Sequence, residues 1–128
     1  MAASLAIAAA VALAWLADPQ SEPQAIEGRV SRVVDGDSLH LATHEPQIRL
    51  WGVDAPERGE RGYQEAKDEL RRLTAGASLS CQPIYRDRYG RTVARCFRAD
   101  GQEVNRMMID GGTAAEFMRY SRGFYSKP

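Results

Sequence analysis

The chain has 128 residues, of which 27% are charged, split evenly into 17 basic and 17 acidic, so its formal net charge is zero. One domain of this length buries a real core with a modest stability margin. The balance excludes nucleic-acid recognition by a bulk basic surface, leaving any phosphate contact to locally placed arginines. All the basic residues except Lys67 and Lys127 are arginine, whose planar fork suits bidentate phosphate contacts, although genome composition gives the same bias.

From Ala2 to Ala17 the chain is apolar except for Ser4, and no charge precedes Asp18. As a helix this stretch reaches about 24 Å at ~1.5 Å per residue, short of the ~30 Å hydrocarbon core. Residues 1–17 therefore read as a secretory signal, with Ala12-Leu13-Ala14 as a small-x-small cleavage site. No Arg or Lys precedes Arg29, so an uncleaved membrane anchor through residues 2–17 is the rival reading, and a buried N-terminal helix the plain one. Residues 18–25 hold two prolines and form a linker, and 26–128 are the domain. A secreted or periplasmic location is expected, with membrane attachment as the alternative.

Short extended segments follow. Ile26 to Val34 is rich in β-branched residues and stops at the turn signal Asp35-Gly36-Asp37. Ser38 to Thr43 alternates and leads into His44-Glu45-Pro46, read as a second turn. Ile48 to Val53 is apolar except for Arg49 and ends at Asp54-Ala55-Pro56, where proline disfavours helix at Ala55. From Tyr63 to Leu73 the period becomes helical, with Ala66, Leu70 and Leu73 on one face and Gly76 beyond the end. Ser78 to Tyr85 and Thr92 to Arg98 are two more strands, and Val104, Met107 and Met108 mark a second helix stopped by Gly111-Gly112. Five strands with a helix after the third and another after the fifth predict a five-stranded Greek-key barrel of the OB type with two or three helices. An open α+β sheet is the alternative.

Two carboxylate clusters and two arginines are candidates for chemistry. Asp35-Gly36-Asp37 places two carboxylates on a turn, where Asp-Gly is also ordinary turn chemistry. Asp54-Ala55-Pro56-Glu57 places two more beyond an apolar strand. Arg49, a charge within that strand, must be ion-paired or serve a ligand, because a lone buried charge is too costly. Arg91 follows Tyr89-Gly90 in a charged connection. Together these supply carboxylates for a hard cation, two guanidiniums for a phosphate and a spare carboxylate as base, the parts of metal-assisted phosphoryl transfer.

Val33-Val34-Asp35-Gly36-Asp37-Ser38, Ile48 to Glu57 (Ile-Arg-Leu-Trp-Gly-Val-Asp-Ala-Pro-Glu) and Asp87-Arg88-Tyr89-Gly90-Arg91-Thr92 resemble, in order, the three signature blocks of the thermonuclease (staphylococcal nuclease) family. Val104-Asn105 and Gly112-Thr113-Ala114 resemble its fourth. The resemblance runs from about Gly28 to Tyr120. It implies an OB-fold barrel and a calcium-dependent endonuclease that hydrolyses DNA and RNA to 3′-phosphate ends. A single-stranded substrate and a monomeric protein are expected. By position, Asp37 and Asp54 match the calcium-binding carboxylates, and Ala55 offers a backbone carbonyl to the ion. Glu57 matches the general base; Arg49 and Arg91 match the phosphate-gripping guanidiniums; Arg88, Tyr89 and Tyr120 match substrate contacts. All-oxygen donors suit Ca2+ better than a cation wanting histidine or cysteine. His40 and His44 flank a turn and are expected to face solvent.

Two departures from the family pattern stand out. The loop after Glu57 is short, which alters substrate access. The chain stops at Pro128, where relatives continue into a C-terminal helix, so an apolar barrel face is expected to need cover. A non-catalytic OB-type module that binds nucleic acid or protein, and a truncated inactive family member, are the alternatives.

Cys81 and Cys96 are the only cysteines. If Tyr85 faces Thr92 in an antiparallel hairpin, counting back sets Cys96 opposite Cys81, close enough for a disulfide. Such a bond fits an exported domain.

Overall fold

Residue pairing across five strands decides the architecture. The computed structural model describes residues 24–127, so the expected signal or anchor at 1–17 and most of the linker lie outside the described residues. Strands β1 (Ile26–Asp35), β2 (Ser38–Leu41), β3 (His44–Leu50), β5 (Ser78–Arg86) and β6 (Thr92–Phe97) close a barrel in the order β1-β2-β3-β6-β5. The short strands β4 (Val53–Asp54) and β7 (Ala115–Glu116) pair with each other outside it. Helix α1 (Tyr63–Thr74) follows β4, α2 (Val104–Asp110) follows β6, and α3 (Met118–Ser121) follows β7. The expected OB-type barrel with helices is the fold, and the open-sheet alternative is excluded by closure.

The barrel closes because β3 runs parallel to β6, with Ile48 beside Thr92, Arg49 beside Val93 and Leu50 beside Ala94. All other barrel pairings are antiparallel. The core holds Leu39, Ile48, Leu50, Leu79 and Val104, none with measurable exposure beyond 2%; burying each such side chain contributes about 1.5–3 kcal/mol. Helix α1 lays Ala66, Leu70 and Leu73 into this core and turns Asp68, Glu69, Arg71 and Arg72 outward as ion pairs three residues apart, as the period of the sequence requires.

Three local readings are corrected. The turn between β2 and β3 lies at Ala42-Thr43, and His44-Glu45-Pro46 is the start of β3. His44 does not simply face solvent: it is half-buried, and its Nε2 lies 2.9 Å from Thr92 Oγ1. The segment Ile48 to Val53 is not one strand, because Trp51-Gly52 forms a turn that separates β3 from β4.

Cys81 and Cys96 face each other across β5 and β6 and are joined by a disulfide. The cysteines pair as expected, but Tyr85 does not face Thr92. A bulge at Ile84 shifts the register, so that Tyr85 pairs with Val93 and Arg86 with Thr92, while Pro83 still faces Ala94. Bulges insert one unpaired residue and re-aim the strand beyond it. The bridge spans 15 residues of sequence, which in the chain-entropy model stabilises the fold by about 3 kcal/mol. Both cysteines are fully buried. Alkylation of the denatured protein without reductant should add no mass, and alkylation after reduction should add two groups. The Cys81→Ala/Cys96→Ala protein should unfold at lower denaturant by an amount matching that stabilisation; an unchanged midpoint would refute a stabilising bridge.

Asn105, fully buried on α2, locks the barrel to the turn beneath β4. Its Oδ1 accepts from the Cys96 amide at 3.0 Å, and its Nδ2 donates to the Trp51 and Ala94 carbonyls at 2.9 and 3.1 Å. The last residues of the chain supply cover of their own. Tyr125 and Phe124 pack on Trp51 with ring centroids 5.8 and 5.5 Å away, and the Tyr125 hydroxyl donates to Glu103 at 2.5 Å. Glu103 is held in turn by both Nε and Nη2 of Arg95.

Candidate active site

The β1–β2 turn, the end of β3, the exit of β4 and the β5–β6 hairpin meet at one end of the barrel around a cleft of about 1200 Å³. Asp37, Arg49, Asp54, Ala55, Glu57, Arg88, Tyr89, Arg91 and Tyr120, all singled out in the sequence, line this one cleft. The parallel β3–β6 pairing explains how. It sets Ile48 beside Thr92, and so brings the strand carrying Arg49 against the strand entered from Arg91.

The β1–β2 turn is built around its glycine. A Cβ on Gly36 would lie 2.6 Å from the Ala66 Cβ of α1 and 2.8 Å from the Ala55 Cβ, so glycine is needed there for space. Asp35 Oδ1 accepts from the Ser38 hydroxyl at 2.5 Å and from the Asp37 amide at 3.3 Å. Asp37 accepts from the Ala55 amide at 3.2 Å through Oδ2, the oxygen that lies 3.4 Å from Arg49 Nη2. Burial raises the Asp37 carboxyl above the ordinary carboxylate range, and neighbouring Asp35 adds to this against the opposing pull of Arg49. Burial acts on Asp35 in the same sense, but its hydrogen bonds with Asp37 and Ser38 outweigh it and hold that carboxyl low.

Arg49 is an ion-paired strand residue and a cleft residue at once. Besides Asp37 it reaches the Leu50 and Val53 carbonyls from Nη1 at 2.6 and 2.8 Å, fixing the entry into β4. Arg91 is held differently. Its Nε meets Asp87 Oδ2 at 2.7 Å, while its Nη1 and Nη2 donate to no group among the described residues. That geometry leaves a two-pronged donor facing the cleft.

Asp87 was missed as a site residue, although an aspartate opening a turn is a readable signal. Its Oδ1 accepts from the Tyr89 and Arg91 amides at 3.0 and 2.9 Å, closing the loop around Gly90, whose φ of 80° favours glycine. Burial would raise the Asp87 carboxyl, but the Arg91 hydrogen bonds keep it low and charged. Tyr85 was also missed. It lines the cleft and is 43% exposed, and the bulge at Ile84 that sets its pairing has no sequence signature. Arg88 and Arg91 both lie over the Tyr89 ring, 4.9 and 5.3 Å from its centroid, and Tyr120 packs on Phe117 at 4.9 Å.

A divalent cation is chemically compatible with this end of the cleft. Asp37, Asp54 and the Ala55 carbonyl offer only hard oxygen donors, which suit such an ion. Among the described residues no three His, Cys, Asp or Glu side chains converge on one point, so backbone carbonyl and water would complete the shell.

The family model of staphylococcal nuclease homologues matches residues 47–127, more than half of the chain. The chain belongs to the staphylococcal nuclease homologue family. Within it, the chain is 37% identical to a succinoglycan biosynthesis protein, ExoI, of Rhizobium meliloti, over 94% of this chain and 67% of that protein. It is 35% identical to an uncharacterized endonuclease of Escherichia coli O157:H7, over 75% of this chain and 64% of that protein. It is 29% identical to a micrococcal nuclease of Shigella flexneri, over the whole chain and 75% of that protein. The chain thus spans about two thirds of the length of the first two of these relatives.

Proposed function

We propose that this staphylococcal nuclease homologue is a calcium-dependent endonuclease that hydrolyses phosphodiester bonds of DNA and RNA and leaves 3′-phosphate ends. The observation that carries this reading is the gathering of Asp37, Arg49, Asp54, Glu57 and Arg91 from four separate chain segments around one cleft. Arg49 and Arg91 grip the phosphate and oppose the charge that builds on its oxygens. Glu57, exposed at the rim with no side-chain hydrogen bond among the described residues, orients and deprotonates the attacking water. Asp37, Asp54 and the Ala55 carbonyl would hold Ca2+, which when bound supplies further electrophilic stabilisation of the phosphate.

Trp51, Tyr63, Tyr85, Tyr89, Phe117 and Tyr120 line the cleft with these arginines. Aromatic faces beside cations suit unstacked bases, and this supports a single-stranded substrate. The buried disulfide supports export to a secreted or periplasmic location.

One relative is named for succinoglycan biosynthesis rather than for a nuclease, and the second reading is a non-catalytic binding module. Purified protein should digest single-stranded DNA in calcium, stop in chelator, and yield products that a 3′-phosphatase converts to 3′-hydroxyl ends. Binding of single strands without cleavage would replace the nuclease reading with the second one.

A further inference from the structure

Tyr63 opens α1 directly behind the short loop that follows Glu57, and both Tyr63 and Arg58 line the cleft. The loop is tightly held. The Glu57 amide donates to Glu60 Oε1 at 2.6 Å, the Glu60 amide to the Glu57 carbonyl at 2.8 Å, and the Tyr63 amide to the Glu60 carbonyl at 3.2 Å. This folding carries Arg58 back to within 5.9 Å of the Tyr63 ring centroid. Lys67, one helical turn further along α1, approaches the same ring at 5.9 Å. Neither cation forms an ion pair among the described residues, whereas Arg49, Arg71, Arg72, Arg91, Arg95 and Arg98 all do. An aromatic ring with two cations beside it repeats the grouping of Tyr89 with Arg88 and Arg91 on the β5–β6 hairpin; here the ring and Arg58 line the cleft, and Lys67 reaches the ring from α1. The cleft volume of about 1200 Å³ exceeds the ~300–1000 Å³ that one small ligand fills.

We propose that Tyr63, Arg58 and Lys67 form a second nucleotide subsite, on the Glu57 side of the scissile phosphate. The Tyr63 ring takes a base face-on, and the two cations neutralise the flanking phosphate. The subsite rests on the nuclease reading and deepens it. An enzyme that cuts within a strand must hold the strand on both sides of the broken bond, and the β5–β6 hairpin supplies only one of them.

The test is equilibrium binding by anisotropy of labelled oligothymidylates of one, two, four and eight nucleotides, in chelator so that nothing is cut. Wild-type affinity should rise with length. In Arg58→Gln/Lys67→Gln, mononucleotide binding should stay within twofold while octamer affinity falls about tenfold or more, since both cation contacts to the flanking phosphate are lost. The slope of log affinity against log salt should shrink by about 0.7 for each cation removed. Arg71→Gln/Arg72→Gln, which removes two paired charges from the outer face of α1, should leave both readouts unchanged. All four substitutions remove charge at residues that are not buried, and circular dichroism should match wild type. An Arg58/Lys67 variant with wild-type octamer affinity and slope overturns the subsite and leaves the nuclease reading standing. An equal loss in the Arg71/Arg72 variant overturns it as well, since net charge alone then explains the effect. A wild-type protein that binds no oligonucleotide in chelator overturns the subsite, and the digestion in calcium decides the nuclease reading separately.

Discussion

Arg91→Lys is expected to lower kcat on single-stranded DNA by about a thousandfold or more, the range lost when a phosphoryl-stabilising arginine is removed. Lysine keeps the charge, so the loss isolates the fork. In the structure Arg91 spends Nε on Asp87 and keeps its two terminal nitrogens for the cleft; an ammonium cannot do both at once. The loop should survive, because Asp87 is also held by the Tyr89 and Arg91 amides. Unchanged circular dichroism and thermal midpoint should accompany the kinetic loss. A folded Arg91→Lys protein with near-normal turnover would remove Arg91 from the chemistry. Arg49→Lys is a less clean probe, because Arg49 also donates to the Leu50 and Val53 carbonyls, and its loss should reduce stability and activity together.

The second large effect separates base from metal ligand. Glu57→Gln should reduce kcat by about 10²–10⁴-fold, the usual contribution of a positioned base, with calcium affinity within a factor of two of wild type. Asp37→Asn should do the reverse to binding. The amide can still accept from the Ala55 amide, but the site loses a negative charge, and calcium affinity, tuned by ligand charge, should fall by about tenfold or more. Calorimetric titration of both variants with calcium reads the difference directly. If Glu57→Gln loses more affinity than Asp37→Asn, the two roles exchange.

The legible parts of the sequence were those fixed by local chemistry. The helical period of Ala66, Leu70 and Leu73 set α1 to within a residue at its end, because one apolar stripe suffices to define a buried helix face. The cysteine pairing was legible because β5 keeps regular alternation from Ser80 to Pro83. Legibility ended where pairing partners decide. The true turn at Ala42-Thr43 has no glycine or proline, and Pro46 sits in a strand at a position that needs no reading as a turn. Lys67 and Arg58 gave no sign of sharing a ring, since the contact depends on how a five-residue stretch folds back rather than on any motif.

By itself, then, the sequence determined that five barrel strands and two longer helices are present and that the two cysteines can face each other, and it nominated nine residues for the site, because alternation, helical period and motif order are properties of neighbours along the chain. Only the tertiary structure decided that those nine share one cleft, that Arg49 is bound to Asp37 while Arg91 is braced by Asp87, and that Tyr85 and Tyr63 join them. These facts follow from the parallel β3–β6 closure, the bulge at Ile84 and the packing of α1 on Gly36. Each is a contact between residues far apart in sequence, set by which surfaces bury together, and no local pattern encodes it.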